Sequence, residues 1–165
     1  MTGQALSIGL RMSGPFDAME HDDVASLAAA TVRKVMAKGE VIFNHGDAVQ
    51  SVALVLNGWV KVSRSTLDGD EAVLDVVTVG RLVGLQDMFG GGAHTSTATV
   101  VEDAEVLLVP AVRLQEVLDR KPHLALAFLK DMAQTQTWLE QELEGRTLQK
   151  RRSGWDVFCS GWCLL

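Results

Sequence analysis

The chain has 165 residues, a formal net charge of −6, 47% hydrophobic and 22% charged residues, which predicts one soluble domain with a core that needs no disulfide help. The acidic balance argues against general nucleic-acid binding, which depends on Lys and Arg facing phosphates. MTGQALSIGLRMSG has no secretory core, and no run reaches the roughly 18 apolar residues that span a bilayer, so the expectation is a cytoplasmic protein with no membrane partner.

Residues 1–14 read as an N-terminal tail. In FDAMEHDDVASLAAATVRKVM (16–36), Asp22 or Asp23 is placed to cap a short helix that turns Val24, Leu27 and Ala28 inward. From Lys38 the pattern changes to short runs punctuated by glycine. GEVIF leads into the turn NHGD, and SVALVL meets WVKVS across Asn57 and Gly58, a pair that tolerates positive φ and predicts a hairpin. Val60 and Val62 alternate with Trp59, Lys61 and Ser63, the mark of a strand with one buried face. A second turn, LDGD at 67–70, leads to EAVLDVVTV, and TATVV and AEVLLV close the series. Many short strands at near-regular spacing predict a barrel or jelly roll.

Pro110 ends the strands, and AVRLQEVLDR forms a helix with Leu114, Val117 and Leu118 on one side. Pro122 then starts a helix that runs to about Arg152, about 45 Å at 1.5 Å per residue. It carries two apolar sets. Leu124, Phe128 and Trp138 suit the roll, while Leu129, Met132, Gln136, Leu139 and Leu143, with Arg146 beyond them, recur every three or four residues and read as the seam of a homodimer. The alternative is an amphipathic helix lying on its own domain. Arg146, Lys150, Arg151 and Arg152 are the one basic group, read as a solvated helix end that suits the helix dipole. The expected fold class is mainly β with flanking helices: a β-roll or jelly roll of about eight strands at 15–121, a long C-terminal dimerisation helix at 122–152, and an atypical tail at 153–165.

The stretch VGLQDMFGGGAHTSTATV (83–100) has the glycines and hydroxyls of a loop that wraps an anion, yet it holds no Arg, Lys or Glu. Its GGG is not a strand-to-helix phosphate motif, because no helix follows it. The predicted effector pocket comprises Gly84, Leu85, Met88, Phe89, His94, Ser96 and Thr97 from this stretch, with Met132 and Gln136 from the long helix. No catalytic set appears: Asp68, Asp70 and Glu71 are ordinary turn chemistry, so no enzyme is expected. Cys159 and Cys163 are the only thiols. They form neither a disulfide framework nor a complete zinc set.

The segments KGEVIFNHGD, LNGWVKV, DGDEAVLDVVTVGRLVG and VLDRKPHLALAFLKDMAQ, in this order, resemble the sensor half of the cyclic-AMP receptor and fumarate-nitrate regulator superfamily of bacterial transcription factors, nearest its nitric-oxide-responsive branch. The resemblance covers about residues 15–152. It implies a roll, a long helix pairing two subunits, a small-molecule effector between roll and helix, and a C-terminal helix-turn-helix.

Two departures qualify it. Nucleotide-binding members hold the ribose with a Glu after the first glycine of the cassette and the cyclic phosphate with an Arg two residues before its last Ala; here those places hold Leu85 and Ser96. A charge-assisted contact contributes about 1.5 to 3 kcal/mol, so losing two weakens binding by roughly 10² to 10⁴. The expectation is therefore a neutral or apolar guest, not cyclic AMP or cyclic GMP. Iron-sulfur sensing lacks its thiolates, while haem stays open as a cofactor, with His94 as ligand and Met88 and Met132 nearby. RRSGWDVFCSGWCLL does not read as the start of a helix-turn-helix. The expectation is a regulator truncated or frame-shifted ahead of its DNA-binding domain, with DNA a partner only where the full-length protein carries that domain. The alternatives are a cyclic-nucleotide module with an altered cassette and a ligand-free dimerising decoy.

Overall fold

The computed structural model describes residues 3–65 and 70–159, with the side chains of Gly3, Glu142, Leu143 and residues 145–159 outside that description. Chain order runs α1 (Gly3–Leu10), α2 (Gly14–Asp17), α3 (His21–Ala30), β1 (Val32–Met36), β2 (Val41–Phe43), β3 (Ser51–Ser65), β4 (Glu71–Val77), β5 (Leu82–Val83), α4 (Leu85–Gly90), β6 (Thr97–Pro110), α5 (Ala111–Arg120) and α6 (Pro122–Cys159). Two units result: Met1–Leu129 and Lys130–Leu165.

The first unit is built on β3 and β6, which pair antiparallel from Ser51↔Pro110 to Ser63↔Thr97. Around them the six-stranded sheet runs β1-β6-β3-β4, with β2 also on β6 and β5 also on β3. Among the described residues the count is six, not about eight, because the sequence divides each long strand in two. TATVV and AEVLLV are one strand, and so are SVALVL and WVKVS.

The hairpin expected at Asn57 and Gly58 is thus corrected to a bulge. The pairing register slips between Val55 and Val60, and Gly58 sits at φ +84, where a Cβ would stand 2.4 Å from the Asp103 carbonyl oxygen. The Asn-Gly signal reports a need for positive φ, and a bulge that bends a long strand needs it as much as a turn does. Of the second turn, residues 67–69 lie outside the description; β3 and β4 pair antiparallel on either side of it, down to Ser65↔Glu71.

β1 falls inside a stretch with no strand expectation. Its first four residues are exposed and only Met36 is buried, so it lacks the alternation by which strands are recognised. It is held by its neighbour: Val32–Met36 pair with Leu108–Ala104 of β6, and Arg33 forms an ion pair with Glu105 that raises the Arg33 pKa. Inside the roll, Met36, Phe43, Val55, Val60, Val62, Val77, Ala98, Val100 and Val106 form one core.

The helices cover the ends of this core. Residues 1–14 are not a tail over their described part: α1 buries Leu10 completely, and Gly9 packs close enough that a Cβ would lie 3.1 Å from Leu107. In α3, Val24, Leu27 and Ala28 point inward as expected, but the cap position is Glu20. Asp23 and Glu20 instead hold Lys121, at 2.8 and 2.7 Å. α5 buries Ala111, Leu114, Val117 and Leu118. The start of α6 buries Leu124 and Phe128, whose ring meets Phe16 edge to face at 5.3 Å.

The rest of α6 makes up the second unit. It continues past Arg152 to Cys159, so residues 153–159 of the expected tail are helical. Leu126, Leu129 and Trp138 are exposed, Met132 and Leu139 are half-buried, and Gln136 is exposed. The Leu143 and Arg146 side chains lie outside the described residues. Among the described residues, no helix is long and apolar enough to cross a membrane.

Candidate functional site

β5 ends at Val83, and Gly84, with a φ of +82, turns the chain into α4. The stretch expected as a loop therefore begins with a helical turn and a half that buries Leu85 and Asp87 and leaves Phe89 outside. Gly91 and Gly92, both at positive φ, end it, and the Gly92 amide donates back to the Asp87 carbonyl at 3.0 Å. The chain then returns toward the core with His94.

His94 and Asp87 form the centre of the site. Both are buried, at 3% and 2% exposure. His94 Nδ1 lies 3.1 Å from Asp87 Oδ2, and Thr95 Oγ1 donates to Asp87 Oδ1 at 2.8 Å. The imidazole stacks on Phe43 with centroids 3.6 Å apart and planes 5° from parallel. Gly84 closes the other side: a Cβ there would lie 3.0 Å from His94 Cε1 and 3.2 Å from Phe43 Cε1. A buried carboxylate is tolerated only with donors on its oxygens, and this one has a partner on each. The cluster works as a latch that closes the cassette on itself.

The turn after β2 holds the latch from outside. The His94 amide donates to the Asp47 carbonyl and the Gly46 amide to the His94 carbonyl, both at 2.8 Å. The Asp47 carboxylate accepts from the Asn44 amide at 2.9 Å. That bond, with the Asn44 side chain and a smaller contribution from His94, lowers the Asp47 pKa. Thr97 Oγ1 accepts from the His45 amide at 3.1 Å.

The expected pocket residues accordingly divide. Gly84 and His94 come together in the latch. Leu85 and Ser96 are buried beside it in the chain, Met88 and Thr97 are half-buried, and Phe89 is exposed. Met132 and Gln136 belong to the second unit, where the Gln136 side chain donates to Glu140 one turn on, at 3.0 Å.

Sequence reasoning missed Asp87, Phe43 and Arg64. Asp87 and Thr95 stand close to His94 in the chain, so a buried His-Asp pair had a local signal. Phe43 and Arg64 had none, because only strand pairing brings them to the cassette. Arg64, on β3, donates from Nε to the Thr95 carbonyl at 2.8 Å. Among the described residues no group of three or more His, Cys, Asp or Glu side chains is placed to hold a metal ion.

Comparison with known proteins places this arrangement among relatives. The family model of the cyclic nucleotide-binding domain matches residues 33–121. The fumarate and nitrate reduction regulatory protein of Escherichia coli K12 is 29% identical over 119 residues, which cover 72% of this chain and 47% of that protein. The chain thus spans about half the length of the curated relatives it matches. Among solved structures, the N-terminal domain of a transcriptional regulator from Streptomyces coelicolor A3(2) is 29% identical with a TM-score of 0.61, covering 81% of this chain and 94% of that one. The sensor domain of the transcriptional regulator DNR from Pseudomonas aeruginosa, at 22% identity and a TM-score of 0.73, covers 86% of this chain and 93% of that one, and shares the fold.

Proposed function

Because the chain belongs to the cyclic nucleotide-binding domain family, we propose that it is the effector-sensing and dimerising part of a bacterial transcription regulator whose effector is not a cyclic nucleotide. The regulator names of its relatives support the first half of this reading. The observation that carries the second half is the latch. Where family members present a glutamate to the ribose, Leu85 is apolar and buried. Thr95 is engaged by Asp87, and Thr97 accepts from His45. A cassette with an apolar residue in the ribose place and the Thr95 donor committed to Asp87 has lost contacts that would favour ribose and cyclic phosphate over water.

The same latch argues against His94 as a haem ligand. Its ring face lies on Phe43, its Cε1 edge lies against Gly84, and 3% of its surface is exposed. An iron bound at the remaining nitrogen needs open space for a porphyrin at that edge, and the residues present do not provide it. We read His94 as a structural group.

The long helix supplies dimerisation. Leu129 is 60% exposed on α6, with Leu126 exposed one turn before it, which a solvated helix has no reason to carry and a helix paired with its own copy does. Effector binding then acts by shifting the balance between two arrangements of this helix. DNA enters through a helix-turn-helix domain of the full-length protein. Two measurements test the reading together. Cyclic AMP and cyclic GMP at millimolar concentration leave the thermal midpoint unchanged, and sedimentation gives twice the chain mass. A rise of several degrees with either nucleotide overturns the exclusion, and a single-chain mass overturns the dimer.

A further inference from the structure

The bend between α5 and α6 rests on one residue. Lys121 closes α5 with a backbone outside the helical region, at φ −131 and ψ 74, while its amide still donates to the Val117 carbonyl at 3.0 Å. Its own carbonyl accepts from the Leu124 amide at 2.9 Å as α6 begins. Pro122 follows, and a residue ahead of proline is disfavoured in the helical region, which works against one continuous helix through this point. The side chain of the same residue is gripped from 98 and 101 positions earlier in the chain: Lys121 Nζ donates to Asp23 Oδ2 at 2.8 Å and to Glu20 Oε2 at 2.7 Å. The two jaws differ, the Asp23 side chain being 13% exposed and the Glu20 side chain 72%. Just inside α6 a second hold begins, and it is apolar: Leu124 and Phe128 are buried, with Phe128 edge to face on Phe16. The chain after Phe16 is itself pinned by Arg11, which donates to the Asp17 and Met19 carbonyls at 3.5 and 3.4 Å.

We propose that Lys121 is a positioning residue that locks this joint: the Asp23–Lys121–Glu20 clamp ties the α5–α6 bend to α3, and its release frees the first two turns of α6 while the roll stays folded. The two holds at the joint act differently. Burial of Leu124 and Phe128 supplies adhesion without direction. The clamp supplies direction, because an ammonium shared between two carboxylates fixes where the bend lies relative to α3. Being partly solvated, it contributes little to overall stability and opens at small cost. A joint built in this way is held in one arrangement yet is not welded. The inference rests on the reading of α6 as the element through which an effector acts, and it names the contact that opens when the start of α6 changes its arrangement.

Native-state hydrogen exchange on the full chain, followed by mass spectrometry at one fixed concentration, reads the opening of residues 124–129 beside that of β3 and β6. Lys121→Gln should speed exchange at 124–129 by about 3- to 10-fold and leave β3 and β6 within about twofold. Lys121→Arg, which keeps the charge, should restore most of the protection. Asp23→Asn, at the buried jaw, should act more strongly than Glu20→Gln at the exposed one. Raising sodium chloride to about 1 M should speed 124–129 in the parent chain and not in Lys121→Gln, a dependence that a merely structural contact would not show. Unchanged exchange at 124–129 in Lys121→Gln overturns the proposal, as does an equal rise in β3 and β6. If Lys121→Gln does not fold, Asp23→Asn, Glu20→Gln and the salt dependence of the parent chain decide, and no local acceleration in any of the three overturns it. The nucleotide and mass measurements above decide the sensing reading by themselves: their failure leaves the exchange result standing for the joint, and failure of the exchange test leaves that reading intact.

Discussion

The cassette from Gly84 to Thr97 and the exposed face of α6 handle their side chains in opposite ways. The cassette takes polar groups into the interior and partners them: Asp87 has a donor on each carboxylate oxygen, and His94 is stacked, bonded and enclosed. The helix leaves apolar groups outside, Leu126, Leu129 and Trp138 among them. Buried polarity that is satisfied within one chain is a structural device. On the proposed reading, exposed apolar surface along α6 is what a second copy of the chain covers. Residue type alone suggests a ligand contact for His94, which the structure instead turns inward.

Substitutions that break one region should leave the other intact. Asp87→Ala removes the shared acceptor and leaves His94 and Thr95 buried without it, which should cost about 3 kcal/mol. The urea midpoint measures this, and an unchanged midpoint would mean that the latch is not structural. Gly84→Ala forces a Cβ at φ +82 into 3.0 Å contact with His94 and should cost about 2 kcal/mol. A loss as large from an alanine at open Gly90, where a Cβ meets nothing within 4 Å, would show that helix α4 rather than the ring contact is responsible. Leu129→Lys combined with Leu139→Lys should convert a two-chain species to a single chain in sedimentation while changing the stability of the roll by no more than about 0.5 kcal/mol.

The smallest effect is at Asp47. Its pKa is depressed in the folded state, chiefly by the Asn44 amide. Its contribution is therefore present above the unfolded-state value and is lost as pH falls through the folded one. Asp47→Asn should lower stability slightly at neutral pH, where the charged group contributes, and converge with the parent chain below the folded-state value, so that the acid limb is flatter. A parallel acid limb in the variant would mean that Asp47 contributes nothing to acid sensitivity.

Much of the roll is legible in the chain. The alternation of Val60 and Val62 with polar neighbours, the inward set Leu114, Val117 and Leu118, and Pro122 at the start of α6 all act over a few residues, where local geometry governs. β1 was not legible, because an exposed strand has no periodicity and is defined by its pairing with β6. The Asn57–Gly58 signal was legible as a demand for positive φ but not as bulge rather than turn, since that depends on whether β6 continues alongside.

The sequence by itself determined that the cassette lacks its own Arg and Glu, that the chain is acidic, and that a roll precedes a long helix, because composition and short-range periodicity are properties of neighbours along the chain. Only the tertiary structure decided what the cassette's groups are for. It set His94 on Phe43, gave Asp87 two donors, and brought Arg64 across from β3 to Thr95. These contacts join residues up to 51 positions apart, as between Phe43 and His94. Only the pairing and register of whole strands brings such positions together, and no local pattern encodes it.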